Sequence, residues 1–353
     1  MLVEPLNKEK CKILKKDRKI NMTEEVIKIK DIKGYYRGSF GIVHAVDGVS
    51  LSVNKGDILG IAGESGCGKT SLAELITGRP IQLLHHEGGQ VYVNGLSMYE
   101  LEAEVIRKEI LCKVLGYVPQ ASQNSLNPVK KIGSFILDVT RERIGSKPKN
   151  KDQVLDRVAE HFSKLGLERS VIDKYPHELS GGMKQRVIVG ISTLWNPLIL
   201  IVDEPTSALD VTTQQLLVDT FKHLKKIGIV ETILFISHDI PVLAQICNIC
   251  IIMYAGRIIE KASMDNIIST PLHPYSKMLI CSIACFNPDG SAETKLEGIP
   301  GRPPDLKSPP KGCRFYPRCP DRLEKCKENY PPFFKPDSAQ NLVACWLYEE
   351  EGD

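Results

Sequence analysis

Short apolar runs alternate with stretches of helical periodicity along most of the chain, and this alternation predicts the elements of the fold. The runs that suit strands lie at residues 26–29, 49–53, 58–62, 198–202 and 233–236. The run at 58–62 leads into a glycine-rich loop and a predicted helix at 71–77, and residues 121–195 are mostly helical in pattern. Because strands that alternate with helices form parallel sheets with crossover helices, we predict an α/β fold.

Both ends of the chain depart from this pattern. Residues 1–21 carry seven Lys or Arg against three Asp or Glu, so we expect residues 1–22 to form a disordered basic tail. Residues 299–310 contain five prolines, which predicts an extended, non-helical connector before a cysteine-bearing end.

The composition narrows the class of protein. Of the 353 residues, 42% are apolar and 25% are charged, and no apolar run approaches the ~20 residues of a membrane span. A net charge of +3 is too small to indicate nucleic-acid binding, so we expect no nucleic-acid partner. The basic start lacks the apolar segment of an export signal, so we expect a reducing cytosol, and any membrane role would come through a partner.

Residues 63–70 match the motif G-x-x-x-x-G-K-[ST] between a predicted strand and a predicted helix, which is the arrangement of a phosphate-binding loop. Lys69 should reach the β- and γ-phosphates of a nucleotide, and Thr70 should offer its hydroxyl to Mg²⁺. The predicted nucleotide-binding residues of this segment are Gly63, Glu64, Ser65, Gly66, Cys67, Gly68, Lys69, Thr70 and Ser71. The helix terminus and Lys69 should also favour the thiolate of Cys67, which predicts a reactive thiol. A glycine-rich turn that binds nothing is the alternative.

An apolar strand ends in two acids, Asp203 and Glu204. Asp203 is expected to hold Mg²⁺ through water, and Glu204 to polarise a water for attack on the γ-phosphate. The alternative is a pair of solvated acids that cap the next helix. A further loop, Ser180, Gly181 and Gly182, precedes a helix as an N-cap with exposed N–H groups, which alone is weak evidence of an anion site.

These motifs occur in a set order along the chain. The phosphate loop is followed by YVPQ with Gln120, LSGGMKQR at 179–186, IVDEP at 201–205, SALD at 207–210 and FISHD with His238. The set resembles the ATP-binding cassette (ABC) family over about residues 26–260, with Met183 where glutamine is commoner. The resemblance implies a P-loop NTPase cassette with a parallel-sheet core, an antiparallel β subdomain and a helical subdomain at about 121–190. It also implies that the chain is an ATPase that uses ATP and Mg²⁺.

The resemblance assigns roles at the phosphates. Glu204 and His238 would be the catalytic residues at the γ-phosphate. Gln120 would contact the Mg²⁺ that Thr70 and Asp203 hold, and would couple the site to the transporter.

The resemblance also assigns roles at the nucleotide's other contacts. The 180–182 loop would close over the γ-phosphate bound by an opposite subunit, and Asp210 would lie at the seam between the two. By its spacing from the phosphate loop, Phe40 is expected to stack on adenine, with Tyr36 second. A plain loop or core aromatic is the alternative.

A narrower resemblance covers the rest of the chain. SLNP at 125–128, HPY at 273–275, GRPP at 301–304 and GCRFYPRC at 312–319 are similar to the ATPases of oligopeptide and dipeptide importers. This implies an ABC ATPase domain at 23–265 and a small irregular, cysteine-rich C-terminal domain at 266–353. The implied partners are a second homologous ATPase subunit in a heterodimer, two permease subunits and an extracytoplasmic substrate-binding protein, with this chain peripheral on the cytoplasmic face of the membrane. Peptides, oligosaccharides or nickel could be the cargo, and a soluble ABC ATPase not coupled to transport is the alternative class.

Four of the eleven cysteines lie in the last 41 residues, at Cys313, Cys319, Cys326 and Cys345. This end has few apolar residues, so a covalent or metal crosslink is expected to stabilise it. Four thiolates suit zinc, a [4Fe–4S] cluster or two disulfides, and four unliganded core cysteines are a further alternative. The spacing decides weakly among these, and it is the resemblance that favours a [4Fe–4S] cluster in a structural role.

Overall fold

The computed structural model describes residues 24–81, 83–120, 125–144, 150–207, 209–282, 298–336 and 341–349. The predicted basic tail at residues 1–22 lies outside these ranges, as does Ala208 of the SALD motif. The strands are β1 (Glu25–Gly38), β2 (Gly41–Asn54), β3 (Ile58–Ala62), β4 (Leu84–Val93), β5 (Leu96–Ser97), β6 (Leu115–Val118), β7 (Ile199–Asp203), β8 (Thr232–Ile236), β9 (Ile249–Tyr254), β10 (Arg257–Ser263) and β11 (Leu342–Val343).

The helices lie between and after these strands. They are α1 (Lys69–Ile76), α2 (Ala103–Val105, continued by a π-helical turn at Ile106–Ile110), α3 (Ile132–Ile144), α4 (Lys151–Ser163), α5 (Gly181–Thr193), α6 (Val211–Lys226), α7 (Ile240–Ile246), α8 (Met264–Ser269), α9 (Pro274–Cys281) and α10 (Lys325–Glu328). Short 3₁₀ turns lie at Arg169–Asp173, Pro176–Glu178, Tyr316–Arg318 and Trp346–Tyr348. Within the described ranges, no helix is both long enough and apolar enough to cross a membrane.

Two sheets form the frame of the fold. Strands β2, β1, β4 and β5, in that order, make an antiparallel sheet, and β11, β10, β9, β3, β8, β7 and β6 make a seven-stranded sheet. In the larger sheet the neighbouring strands from β9 to β6 run parallel to one another. Strand β10 pairs antiparallel with β9 on one side and with β11 on the other. The predicted α/β fold with a parallel-sheet core and a separate antiparallel sheet is confirmed.

The central strands are apolar along their whole length because both faces of the sheet are covered. Every residue of β3, β7 and β8 is buried. In β3, Ile58 and Ala62 belong to a core shared with α3, α4 and α5, whereas Leu59 and Ile61 belong to a core shared with β1 and α1. This double coverage accounts for the continuous apolar runs that mark these strands in the sequence.

The stretch predicted to be mostly helical contains three helices in the part that the structure describes. Helices α3, α4 and α5 and two 3₁₀ turns lie between β6 and β7. The Phe162 ring of α4 packs against Gly190 of α5, where a Cβ would come within 2.7 Å of the ring. His161 Nε2 lies 2.9 Å from Thr193 Oγ1, which joins α4 to the last turn of α5.

The C-terminal region, residues 266–353, packs onto the rest of the fold where it is described. Strand β11 extends the large sheet by pairing with β10. Cys313, Phe315 and Cys326 belong to the same apolar core as β9. Arg314 donates to the carboxylate of Asp47 in β2. The scarcity of apolar residues in this region is therefore offset by packing on the core of the large sheet, a means of stabilisation that its composition did not indicate.

Candidate nucleotide-binding site

Four predicted site segments meet at one edge of the large sheet. The phosphate loop follows β3, Gln120 follows β6, Asp203 and Glu204 follow one another at the end of β7, and His238 follows β8. These strands are parallel neighbours, and Asp203 pairs with Ile236, the last residue of β8. Their carboxyl ends therefore lie side by side, which is where open α/β sheets bind ligands.

The phosphate loop has a backbone that favours glycine. Gly63 and Gly68 have φ angles of 145° and 105°, and a Cβ at either residue would overlap a backbone carbonyl of a neighbouring segment. Lys69, the first residue of α1, is 6% exposed, and its Nζ donates to the carbonyl oxygens of Gly63 at 2.7 Å and Glu64 at 3.0 Å. The loop thus combines an ammonium group with the N–H groups of a helix start, which suits a polyphosphate.

Asp203 is fully buried at the end of β7. Its Oδ2 accepts a long hydrogen bond of 3.5 Å from the Tyr117 hydroxyl, whereas its Oδ1 has no hydrogen-bond partner among the described residues. Burial raises the pKa of Asp203 to about 6, and the Thr70 hydroxyl and the charge of Lys69 act in the opposite direction. An unpartnered buried carboxylate oxygen beside a hydroxyl fits Mg²⁺, which takes oxygen ligands.

Glu204 and His238 form a second polar pair at this edge. Glu204 Oε2 lies 2.7 Å from His238 Nδ1, and the Glu204 side chain is 9% exposed against 64% for His238. Glu204 has a φ of 47°, and its carbonyl oxygen accepts from the Ser207 hydroxyl at 2.9 Å. A residue with a Cβ rarely adopts this backbone conformation, and such strain collects at functional sites. The structure therefore places an imidazole against a buried carboxylate one residue beyond Asp203.

The predicted residues of the 180–182 loop and Asp210 lie at helix starts. Ser180 caps α5 by accepting from the Met183 N–H at 3.3 Å, and Asp210 caps α6 by accepting from the Thr213 N–H at 2.9 Å and hydroxyl at 2.7 Å. Gly182 lies against Thr213, whose methyl carbon would be 2.7 Å from a Cβ there. In the part of the chain that is described, no hydrogen bond joins these residues to the phosphate loop. Their role toward a second subunit stays a prediction.

Phe40 and Tyr36 lie on the hairpin of β1 and β2. The Phe40 ring is 45% exposed at the turn. The Tyr36 hydroxyl lies 3.1 Å from Ser71 Oγ in α1, and its ring packs on the core. Tyr36 is thus engaged by α1, whereas Phe40 leaves a ring open for stacking. The adenine contact of Phe40 stays a prediction.

The structure corrects the prediction for Cys67. Its side chain is 5% exposed, and its Sγ lies 3.8 Å from Lys69 Nζ. Burial raises the pKa of the Cys67 thiol, and it outweighs the lowering effect of the Lys69 charge. The prediction of a reactive thiolate is wrong because the loop turns this side chain inward, against Gly63.

The four C-terminal cysteines line one small cavity together with His273 and Asp321. The cysteines that line it are Cys313, Cys319, Cys326 and Cys345, all free thiols. Burial raises the pKa of the first to about 12 and of the second to about 11. In the described ranges, however, no group of three or more Cys, His, Asp or Glu is placed so that it could hold a metal ion. The structure therefore gathers the predicted cysteines but does not support the predicted [4Fe–4S] cluster.

His273 brings a polar group without a partner to this cavity. It is 1% exposed, and its Nδ1 accepts from the Tyr275 N–H at 3.0 Å, so the ring proton is on Nε2. No described residue forms a hydrogen bond with Nε2. Burial lowers the pKa of His273 to about 3, which keeps the ring neutral. A buried donor without an acceptor is uncommon, and a group bound among the thiols would provide one.

Sequence motifs mark three further residues without revealing what they contact. Tyr117 belongs to YVPQ and contacts Asp203. Tyr275 belongs to HPY, Arg318 belongs to GCRFYPRC, and both bond to Glu64 of the phosphate loop. These contacts join residues that are far apart in the sequence. The motifs therefore mark the segments but do not indicate which residues they contact.

The phosphate loop, the buried carboxylate beside Thr70 and the glutamate–histidine pair on a parallel sheet define a P-loop ATPase of the cassette class. An ABC transporter family model matches residues 46–207, and the model for the C-terminal region of oligopeptide/dipeptide transporters matches residues 259–326. The dipeptide transport ATP-binding protein DppD of Caldanaerobacter subterraneus is 38% identical over 92% of this chain and 98% of its own length. The oligopeptide transport ATP-binding protein AppD of Bacillus subtilis is 36% identical over 93% of this chain and 98% of its own. A solved dimeric bacterial ABC transporter cassette is 26% identical, with a TM-score of 0.59 over 67% of this chain and 98% of its own. The chain therefore belongs to the ATP-binding subunits of ABC transporters of the oligopeptide/dipeptide type, whose reaction is ATP hydrolysis.

Proposed function

We propose that this chain is the ATP-hydrolysing subunit of an importer of dipeptides or oligopeptides. The observation that carries the proposal is the meeting of Lys69, Asp203 and the Glu204–His238 pair at one sheet edge, in a chain whose relatives are dipeptide and oligopeptide transport proteins. The peptide cargo rests on those relatives. Oligosaccharides and nickel are the alternative cargoes.

The geometry supports a role for each residue in hydrolysis. ATP would lie over the phosphate loop with its β- and γ-phosphates at Lys69. Thr70 and Asp203 would hold Mg²⁺ with Gln120 nearby, and the ion would neutralise charge on the transferred phosphoryl group. Glu204 would polarise the attacking water.

Two further side chains would complete this half of the site. His238 lies 2.7 Å from Glu204 and would orient that carboxylate while contacting the γ-phosphate. Phe40 would stack on the adenine, since its ring is exposed at the hairpin turn.

We propose that a second chain completes the site. Ser180, Gly181 and Gly182 have no hydrogen bond to their own phosphate loop within the described residues, so they would close over ATP held by a partner, with Asp210 at the seam. That partner would be a homologous ATPase in a heterodimer. Two permease subunits and an extracytoplasmic substrate-binding protein would complete the importer, with this chain peripheral on the cytoplasmic face of the membrane. Within this chain, residues 1–22 would form a tail, residues 23–265 the ATPase domain and residues 266–353 the C-terminal domain.

We further propose that the cysteine cavity binds a metal group, with a [4Fe–4S] cluster as the first candidate. Four thiols on one cavity and the unpartnered Nε2–H of His273 support this. Because Nδ1 of His273 accepts a hydrogen bond, the ring would donate to a sulfur rather than ligate the metal. The thiols would have to move together and release protons, since no described group is placed to hold an ion. The cluster would supply a crosslink between segments of the C-terminal region.

Purification in detergent tests the transport assignment. The tagged chain should bring a second ATPase chain and two permease subunits with it, and peptide with its binding protein should stimulate ATP hydrolysis in proteoliposomes. The Glu204→Gln chain should assemble equally well and fail to hydrolyse. A chain that purifies without membrane proteins and hydrolyses ATP would indicate a soluble ATPase. Stimulation by nickel or an oligosaccharide instead of peptide would reassign the cargo.

Anaerobic purification tests the metal. A cluster should make the protein brown, with broad absorbance at about 400 nm and about four irons per chain. Cys345→Ser should lose iron and colour. Stoichiometric zinc without iron would replace the cluster with a zinc site, and protein without any metal would overturn the proposal.

A further inference from the structure

Glu64, the second residue of the phosphate loop, is held by the C-terminal region. Both terminal nitrogens of Arg318 donate to its carboxylate, Nη1 to Oε2 at 2.8 Å and Nη2 to Oε1 at 3.1 Å. The Arg318 side chain is 5% exposed and that of Glu64 is 25% exposed. A two-pronged pair in such a setting fixes both the position and the orientation of the carboxylate.

The guanidinium of Arg318 is held in place because each of its N–H groups donates a hydrogen bond. Beyond Glu64, its Nε donates to the Pro300 carbonyl at 2.7 Å, Nη2 to the Ile299 carbonyl at 3.1 Å and Nη1 to the Tyr254 hydroxyl at 3.1 Å. A guanidinium has five N–H groups in one plane, so these bonds use every donor. Arg318 cannot turn away from Glu64 without leaving buried polar groups unpaired.

The backbone of Glu64 is held as well. Its N–H donates to the hydroxyl of Tyr275 at 2.9 Å, and its carbonyl oxygen accepts from Lys69 Nζ at 3.0 Å. The Tyr275 ring is fully buried, with centroid distances of 4.6 Å to Tyr254 and 5.4 Å to Phe315. One loop residue therefore bonds both to the lysine expected at the phosphates and to two rigidly packed side chains of the C-terminal region.

We propose that Arg318 and Tyr275 are positioning residues for ATP binding, which hold Glu64 so that the phosphate loop and Lys69 are ordered before the nucleotide arrives. If ATP had to order the phosphate loop as it bound, part of the binding free energy would be lost to that ordering. The affinity for ATP would then be lower than that of a loop ordered in advance. The affinity of this subunit for ATP then depends on the docking of a segment outside the nucleotide motifs. The inference rests on the proposed ATPase function and identifies what regulates the affinity of that site.

The test compares two buried arginines of one segment. Arg318→Ala should raise the Kd for MgATP by about tenfold, as expected for the loss of charge-assisted hydrogen bonds, while kcat at saturating ATP changes by less than about twofold. Arg314→Ala is the matched control, because Arg314 is 4% exposed and pairs with Asp47 but does not contact the phosphate loop. It should lower the melting temperature by a similar amount and leave the Kd within about twofold of the wild type. Both are measured on the full chain in the transporter complex.

A double-mutant cycle that combines Glu64→Gln with Arg318→Ala tests whether Arg318 acts through Glu64. Glu64→Gln should raise the Kd on its own and add little in the Arg318→Ala background, since the same contact is already lost. Arg318→Lys, which keeps the charge but not the two-pronged pair, should restore part of the affinity. If Arg318→Ala does not fold, Tyr275→Phe removes a single hydroxyl and should raise the Kd by about threefold.

The outcomes separate this inference from the proposed function. An unchanged Kd in Arg318→Ala or in Tyr275→Phe, an equal rise in Arg314→Ala, or additive effects in the cycle would overturn the positioning role while leaving an ATP-binding wild type. A wild-type chain that binds no MgATP would overturn both.

Discussion

His161 should make the folded chain less stable as the pH falls below neutral. Its Nε2 lies 2.9 Å from Thr193 Oγ1, and that hydroxyl gives its own hydrogen to the Val189 carbonyl at 2.8 Å, so Nε2 is the donor. Burial lowers the pKa of His161 from 6.5 to about 4. The ring is therefore neutral in the folded chain at pH values where the unfolded chain is protonated.

The sign and the size follow from proton linkage. Between pH 6.5 and about 4 the unfolded chain binds a proton that the folded chain does not. This contribution to stability is complete above about pH 6.5 and is lost as the pH falls through that window. With these two pKa values the loss is about 2 kcal/mol at pH 5 and approaches about 3 kcal/mol below pH 4.

Urea unfolding at pH 7.5 and pH 5.0 measures this loss. His161→Gln keeps an N–H that can donate to Thr193 but does not titrate, so between the two pH values it should lose about 2 kcal/mol less than the wild type. His223, an exposed histidine on α6, supplies the control, and His223→Gln should follow the wild type. Equal pH dependence in the wild type and in His161→Gln would refute the reasoning.

Three further predictions concern the nucleotide site. Glu204→Gln should keep the Kd for ATP within about twofold of the wild type and lower turnover by at least about 100-fold, because only water activation is lost; turnover near the wild-type rate would show that another group is the base. Gly68→Ala should lower the melting temperature and abolish ATP binding, because its Cβ would meet the Ala45 carbonyl. The control Gly41→Ala, with φ of 98° but open space around the Cβ, should cost only about 1 kcal/mol of backbone strain, and equal losses in the two would contradict the steric argument. Maleimide should label the exposed Cys281 before the buried Cys67, as peptide mass spectrometry after brief exposure would show, and faster labelling of Cys67 would contradict its burial.

Among the strands that could be predicted from the sequence, the clearest are those covered on both faces, whereas only parts of β1 and β2, at residues 26–29 and 49–53, could be predicted. Strands β3, β7 and β8 are apolar throughout, so each stands out as a short run. Strand β4 has the sequence LHHEGGQVYV, and its pairing with β1 shifts register around Lys33, opposite Gly88. A partly exposed strand with an irregularity has neither a continuous run nor a clean alternation, so its pattern did not reveal it.

The nucleotide motifs could be predicted because each is contiguous and lies at the end of one strand. The burial of individual side chains and the contacts between distant residues could not be predicted in this way. The position of Cys67 beside Lys69 suggested a thiolate, but the turn that buries its side chain depends on packing. The partners of Tyr117, Tyr275 and Arg318 lie 86, 211 and 254 positions away, and no local pattern reports such pairs.

Two buried arginines, four positions apart, join the C-terminal region to different parts of the ATPase core. Arg314 pairs with Asp47 of β2, and Arg318 pairs with Glu64 of the phosphate loop. A chain cut at residue 265 would leave the Glu64 carboxylate without its guanidinium and the Glu64 N–H without the Tyr275 hydroxyl. The sequence regions that match two separate family models, 46–207 and 259–326, thus meet at one residue of the phosphate loop. The boundary between them separates motifs, but the contacts that order the ATP-binding loop cross it.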